Sequence, residues 1–339
     1  MLRITVSVAL LLASFSAEAG IGHPKKHRRP ARRAQRKTET VIDAAAVNNP
    51  ALAQGVGPGS SGSAVLRAQI LLARAHFSCG EIDARYGANL RGAIADFQTA
   101  HGLAGSGIVE TETWKILNAD TAPALIRAPI APEDVAGPFT PVPEDMMEKA
   151  KLSALSYSSP LEAIAEKYHA SPALLQRLNP GSGFDRAGEE ILTPNVIVPP
   201  PEKAASVVVS KSRHSVIALG AEGKVLARYP ATIGSEHDPL PIGRWKILGV
   251  GRKPSFHYSP DLFWDAKDSD GKALIAPGPN NPVGVAWIDL SKEHYGIHGT
   301  PEPSQVGKTQ SHGCIRLTNW DVTELSNMVG PGTPAILED

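Results

Sequence analysis

Apolar positions repeat at helical spacing in two separate stretches of the N-terminal part of the chain. The first stretch, 63–120, predicts three short helices. Their apolar stripes are formed by Val65, Leu66, Ile70 and Ala73, by Leu90, Ile94 and Phe97, and by Trp114 and Leu117. Asn89 and Thr111 are placed to cap the second and third helices. The pattern therefore predicts a small all-α domain.

The second stretch, 151–200, predicts two helices and a closing strand. Ser159-Pro160 and Ser171-Pro172 each place a capping residue before a proline at the first helical position. A weak opening strand is predicted at 155–158 and the closing strand at 191–199. Residues 121–150 are rich in Pro and Ala with little periodicity, and we interpret them as a linker.

From residue 203 the pattern changes to short β-branched or alternating runs divided by glycine turns. These runs are Val207–Val209, His214–Leu219, Val225–Tyr229, Trp245–Val250, Gly284–Leu290 and Pro334–Leu337. A late helix is predicted from Asp321. The predicted fold class is therefore multidomain: a mainly-β domain at 203–339, preceded by a small all-α domain and a small α+β module.

The N-terminus carries the pattern of a secretory signal peptide at 1–19. Arg3 precedes a short apolar run, and Ala17-Glu18-Ala19 matches the small-x-small cleavage pattern. A buried N-terminal helix is the alternative. A block of basic residues follows and then a stretch rich in Ala, Pro, Gly and Ser, so 20–62 is predicted to be a disordered basic tether. No later segment is predicted to span a membrane, and an exported, soluble mature protein is expected.

Charge and cysteine content narrow the function further. The 34 basic and 34 acidic residues cancel, so the whole molecule offers no case for binding nucleic acid. The chain has two cysteines, Cys79 and Cys314. An exported protein could join them in a disulfide. If Cys314 is catalytic, a permanent disulfide would remove its free thiol, so we interpret Cys79 as a small buried residue.

The segments Tyr295–Thr300 and Ser311–Leu317 offer the clearest chemistry. His298 and His312 lie close in sequence to Cys314, and a nearby imidazole favours the nucleophilic thiolate. Gly313 would let the backbone approach a substrate, and amides beside Cys314 could stabilise an oxyanion by about 3–4 kcal/mol each. This pattern is compatible with acyl transfer through a thioester.

Two other interpretations of these residues stay open. His298, His312 and Cys314 are ligand types that zinc accepts, with a fourth ligand from His257 or His294. Alternatively, Cys314 is only a packed core residue.

Residues 205–337, which contain the motif "HGT…SHGCIRL", resemble the L,D-transpeptidase catalytic domain. The runs Thr232–Gly234, Pro239–Ile247 and Pro277–Gly284 resemble further motifs of that family, with Leu240 where the family often has Thr. The resemblance implies no cofactor. It implies Cys314 as nucleophile, His298 as proton acceptor and the Gly299 carbonyl as orienter of His298. It also places the Gly313 and Cys314 backbone at the oxyanion hole.

The remaining candidate site residues surround these. The resemblance implies that His312 and Ser311 shape the pocket. Thr300, Ser311 and Arg316 are the candidate substrate-binding residues. Arg316 would hold a substrate carboxylate, and a structural ion pair is the alternative.

The two N-terminal regions carry weaker resemblances. Tyr86-Gly87 through Phe97-Gln98, His101–Leu103, Gly107–Val109 and Thr113-Trp114 resemble the peptidoglycan-binding three-helix domain. Arg91-Gly92 and Glu110 replace that family's usual Thr and Asp. The order of elements at 151–200, with "Y-x-x-S-P-x-x-L-L-x-x-L-N-P", is similar to a LysM module that lacks the usual Gly-Asp.

Together the resemblances imply a cysteine transpeptidase of the bacterial cell wall, with peptidoglycan as its partner. Cys314 would attack the carbonyl that precedes the terminal D-alanine of a stem tetrapeptide. An amine of a second stem would then give a 3→3 cross-link, with a lipoprotein lysine, a free D-amino acid or water as other acceptors. Periplasmic, wall-associated localisation is expected. A cysteine carboxypeptidase or endopeptidase and a non-catalytic wall-binding protein are the competing functions.

Overall fold

The computed structural model describes residues 42–339, so the predicted signal peptide and the basic block lie outside the described residues. The α-helices of the described part are α1 (Ala44–Asn48), α2 (Ser63–Arg74), α3 (Ala88–Ala100), α4 (Thr111–Leu117), α5 (Met146–Lys149), α6 (Pro160–Lys167), α7 (Pro172–Leu178) and α8 (Asn319–Met328). The strands are β1 (Leu125–Pro129), β2 (Glu190–Pro194), β3 (Ser206–Ser210), β4 (Ser215–Leu219), β5 (Val225–Pro230), β6 (Thr232–Ile233), β7 (Gly243–Arg252), β8 (Phe256–Tyr258), β9 (Ala273–Ile275), β10 (Ala286–Leu290), β11 (Gly296–His298), β12 (Ile315–Arg316) and β13 (Pro334–Glu338). Within 42–339, no helix combines the length and apolarity that a bilayer span requires.

Helices α2, α3 and α4 occupy the positions that the apolar stripes predict, but two predicted caps are wrong. The N-cap positions of α3 and α4 are Gly87 and Glu110, without a side-chain capping bond. Asn89 instead donates from Nδ2 to the carbonyl oxygen of Val306, at 2.8 Å. The Asn89 side chain, which the local pattern assigns to a cap, therefore binds a residue that is distant in sequence.

The predicted disordered tether does not extend through residues 42–62. This segment contains α1, which Asp43 caps through a hydrogen bond to the amide of Ala45. Val47 and Val56 are fully buried in the core of the helical region. The burial of these two valines stabilises the segment, although its overall composition predicts disorder.

The predicted linker at 121–150 contains a strand. β1 pairs antiparallel with β2, so Leu125 lies opposite Pro194. The opening strand of the small module is therefore β1, and the strand predicted at 155–158 is absent. Ser159 and Ser171 cap α6 and α7 as their sequence positions indicate. The likeness of this region to LysM stays a prediction.

The C-terminal part is mainly β, as the alternating runs predict. Its nine-stranded sheet has the order β5-β4-β3-β13-β7-β10-β11-β12-β6. The pairs β3–β13 and β11–β12 are parallel, and the other pairs are antiparallel. Helix α8 buries Val322, Leu325 and Met328 in the core of this sheet, after an N-cap at Thr318.

The N-terminal regions are packed onto the sheet. The amide of Arg228, on edge strand β5, donates to the His76 carbonyl, and the amide of Ser78 donates to the Arg228 carbonyl, both at 2.8 Å. Residues 76–78 thus extend the sheet beyond β5 and cover its edge. The helical region and the small module share one apolar cluster. Residues 42–339 consequently belong to one compact unit.

Candidate active site

A cavity of about 840 Å³ opens beside the C-terminal sheet and brings the main sequence candidates together. Its walls come from the β8–β9 hairpin and its flanks, from β10 and the turn into β11, and from the segment around β12. The candidate residues on its walls are Cys314, His298, His312 and Arg316, with Trp287 and Tyr295 between them. Thus two segments that are separate in sequence share one cleft.

Pairing of β11 with β12 sets the positions of the histidine and the cysteine. The strands run parallel with His298 opposite Arg316, so Cys314 immediately precedes β12 while His298 ends β11. Gly313 has φ of +95°, and a Cβ there would lie 2.9 Å from the Tyr295 ring. Only glycine meets both demands without strain. Ser311 fixes the turn by donating from its hydroxyl to the Cys314 carbonyl at 2.6 Å.

His298 is buried and its ring is held on two sides. Its Nδ1 lies 2.7 Å from the Gly299 carbonyl oxygen. A carbonyl only accepts, so the Nδ1 atom carries the proton and Nε2 is left as an acceptor. The ring stacks on Trp287 at 5.4 Å between centroids. Burial, and then the Arg316 charge, lower the pKa of His298 to about 3 despite the Gly299 bond. The imidazole is therefore neutral at pH 7.

Cys314 is half-buried and its thiol lies 3.6 Å from the His294 carbonyl oxygen. Burial raises the pKa of the Cys314 thiol, while the Gly296 backbone and the Arg316 charge oppose that rise. The resting sulfur is consequently protonated at neutral pH. The site at rest holds a neutral thiol and a neutral imidazole in place of an ion pair.

Arg316 is a cation that lacks a partner among the described residues. Within residues 42–339 its guanidinium makes no hydrogen bond or ion pair, although it reaches the cavity wall. Burial lowers its pKa, and the charges of Cys314, Glu302 and Asp265 act in the opposite direction. An unneutralised arginine in a cleft is suited to binding a carboxylate.

The other candidates occupy supporting positions. His312 lies 2.8 Å from Asp265 through Nε2 and packs against Phe263 and Trp264. Ser311 and Thr300 are buried, do not line the cavity and bind backbone groups. Their contact with substrate stays a prediction. Across 42–339, no three His, Cys, Asp or Glu side chains are grouped to hold a metal ion.

The two cysteines are both free, so the disulfide that counting permits is not formed. Cys79 is 4% exposed, which agrees with its interpretation as a buried residue. Burial also raises its thiol pKa.

Sequence reasoning missed several residues that shape the site. Trp287 pairs with His298 across β10 and β11, and this register is invisible in local sequence. Asp265 reaches His312 from the β8–β9 hairpin region, again through the fold alone. Asn319 stands behind Gly299, and its only sequence signal is its place at the start of α8.

Comparisons with known proteins assign the family. The family model of the L,D-transpeptidase catalytic domain matches residues 204–337, and that of a putative peptidoglycan binding domain matches 61–117. The "Putative L,D-transpeptidase YkuD" of Bacillus licheniformis is 33% identical over 175 residues, which cover 51% of this chain and 90% of that protein. The chain belongs to the L,D-transpeptidase family. A protein of the same description from Bacillus subtilis is 31% identical over equal shares of both chains.

Among solved structures, this L,D-transpeptidase is similar to L,D-transpeptidase 3 from Mycobacterium tuberculosis in complex with a faropenem-derived adduct. The TM-score is 0.33 with 19% identity, over 46% of this chain and 71% of that chain.

Proposed function

We propose that this protein uses Cys314 to form a thioester with a peptidoglycan stem tetrapeptide and passes the acyl group to an amine. The observation that carries the proposal is the shared cavity. One wall holds a thiol, another holds a neutral imidazole whose Nε2 is free to accept a proton, and Arg316 adds an unpaired positive charge. Peptidoglycan as substrate agrees with the match of 61–117 to a peptidoglycan-binding family.

The first half of the reaction moves one proton and exchanges one bond. As the Cys314 sulfur attacks the carbonyl carbon before the terminal D-alanine, its proton passes to Nε2 of His298. The resulting oxyanion would be bound by the amides of Gly313 and Cys314, which donate to no other atom of residues 42–339. The C–N bond then breaks, the D-alanine amine takes the proton from His298, and an acyl-enzyme remains.

The second half reverses these steps with a new acceptor. An amine of a second stem attacks the thioester carbonyl and gives its proton to His298, and the thiolate leaves and is reprotonated. The product is a 3→3 cross-link. Water in place of the amine would give a tripeptide, so a carboxypeptidase is the second candidate. The partial exposure of Cys314 would admit water as well as an amine.

Export to the periplasm and attachment to the cell wall belong to the same proposal. A wall polymer is reachable only outside the cytoplasm, and the basic block at 25–37 would hold the enzyme near anionic wall or membrane surface.

Mass analysis of products tests the reaction. Incubation with a purified disaccharide tetrapeptide should release D-alanine and yield a cross-linked dimer; tripeptide alone would assign the hydrolase. Cys314→Ala should lose both products and all covalent labelling by a carbapenem. Cys79→Ala is the matched control and should keep both, since that thiol is 4% exposed and outside the cavity. Persistent labelling of Cys314→Ala would overturn the proposal.

A further inference from the structure

Two glutamates on one face of α6 bind two asparagines of the catalytic domain. Glu162 and Glu166 are four residues apart, so they are neighbours on the helix surface. Glu162 accepts a hydrogen bond from Nδ2 of Asn280 at 2.8 Å. Glu166 accepts from Nδ2 of Asn319 at 3.2 and 3.1 Å through its two carboxylate oxygens. The small module thereby binds the rear of the active site through paired side chains.

Asn319 lies directly behind the carbonyl that orients His298. A Cβ placed on Gly299 would be 2.2 Å from its Oδ1 atom, and a Cβ on Gly284 would be equally close. Asn319 is 2% exposed, so little room exists for it to shift. The amide oxygen therefore packs against the backbone of Gly299, whose carbonyl holds Nδ1 of His298.

The hydrogen bonds of Asn319 allow only one orientation of its amide. Oδ1 accepts from the Val285 amide at 3.2 Å, while Nδ2 donates to the Pro279 carbonyl at 3.0 Å as well as to Glu166. A flipped amide would place oxygen against a carboxylate and a carbonyl, and its NH₂ against an N–H group. Glu166 is itself fixed by the Tyr157 hydroxyl, which donates to it at 2.8 Å.

We propose that Asn319 is a positioning residue for His298, and that Glu166 holds Asn319 in place, so that the small module completes the active site from behind. The inference rests on the proposed function of His298. It gives the module a role inside the catalytic unit, which differs from the tethering role that its likeness to LysM suggests. A displacement of Gly299 would move the carbonyl that fixes Nδ1 of His298, and with it the orientation of the imidazole.

Three variants test the proposal through the rate of carbapenem acylation of Cys314. Asn319→Ala should slow acylation by about 10- to 100-fold, the range expected when a catalytic group is misplaced. Asn319→Asp should also slow it, because an oxygen then faces the Glu166 carboxyl and the Pro279 carbonyl, to which Nδ2 donates in the wild type. Adding Glu166→Gln to Asn319→Asp restores a donor opposite an acceptor at position 166 but leaves the Pro279 carbonyl opposite an oxygen, so it should recover only part of the rate.

A second readout separates positioning from folding. The NMR signal of the His298 Nδ1 proton should shift in folded Asn319→Ala, because its bond to the Gly299 carbonyl is altered. A residue that only stabilises the fold would lower the unfolding temperature and leave this signal and the rate of the folded protein unchanged. If Asn319→Ala does not fold, Glu166→Gln is the milder test, and should slow acylation by about three- to tenfold through loss of a charge-assisted bond.

Glu190→Gln is the matched control, since Glu190 is an exposed acid on β2 of the same module. It should keep the wild-type rate. Wild-type protein that never acylates would overturn the proposed function itself. Wild-type protein that acylates, together with unchanged rates and an unchanged His298 signal in the folded Asn319 and Glu166 variants, would overturn this inference alone.

Discussion

The interdomain seam is formed by residues 76–78, Asp96 and Arg228. Both this seam and the cavity around Cys314 contain an arginine beside a cysteine: Arg228 with Cys79, and Arg316 with Cys314. In the seam, Arg228 is 1% exposed and donates to Asp96 at 3.1 Å and to the Ser78 carbonyl at 3.0 Å. In the cavity, Arg316 makes no such bond with any of residues 42–339. The same residue types are paired in one region and left unpaired in the other.

This difference separates a structural site from one that is suited to bind a substrate. Burying a charge costs free energy unless partners are supplied, and the seam supplies them. The cavity instead leaves Arg316, Nε2 of His298 and the amide of Cys314 without partners among residues 42–339, so a substrate can provide them. The pKa of the cysteine thiol does not distinguish the two regions, because burial raises it for both Cys79 and Cys314.

Breaking the seam should have the largest effect on stability. Asp96→Ala leaves the Arg228 guanidinium buried without its carboxylate, and should lower the free energy of unfolding by about 3–5 kcal/mol. Arg316→Met should leave that free energy unchanged or raise it, because it removes a charge that has no partner, while it weakens binding of the stem peptide. Urea denaturation measures the first effect and KM the second.

The double variant Asp96→Ala with Arg228→Met sharpens the same comparison. It removes both charges, so much of the lost stability should return. Equal losses of stability in Asp96→Ala and Arg316→Met would contradict the distinction between the two regions.

The pH dependence of acylation tests the neutral state of the cavity. With the pKa of His298 at about 3 and that of Cys314 raised above its ordinary value, the neutral thiol and the neutral imidazole stay the resting forms across the neutral range. Because the thiol gives its proton to His298 as it attacks, the second-order acylation rate should be nearly constant from about pH 5 to pH 8, with no break near the usual histidine pKa. A rate that rises about tenfold per pH unit through this range would indicate attack by a free thiolate without His298, and a break near the usual histidine pKa would contradict the neutral resting state. Cys79→Ala should give the wild-type profile.

Local sequence indicated the residues that share the cavity but not the groups that hold them. Cys314, His298 and Gly299 lie in short motifs, so their chemistry is visible without a fold. Trp287 and Asn319 act through strand register and helix packing between distant segments, which no local pattern encodes. The same reason explains β1, which contains Ala128 and Pro129 and gains its strand character only from pairing with β2.

The smallest effect concerns the glycine that makes room for the seam arginine. Gly92 lies inside α3, where alanine normally stabilises a helix by about 1 kcal/mol. A Cβ there would lie 2.5 Å from Nη2 of Arg228, whose side chain is fixed by its partners.

Gly92→Ala should therefore lower the free energy of unfolding by about 1–3 kcal/mol, because the seam is too tightly packed to absorb a methyl group. In the Arg228→Met background the same change should be neutral or stabilising, since the clashing guanidinium is gone. Acylation of Cys314 should be unchanged in folded Gly92→Ala, because the seam lies outside the cavity. A stabilising effect of Gly92→Ala alone would show that the arginine can move, and that the seam is looser than its hydrogen bonds require.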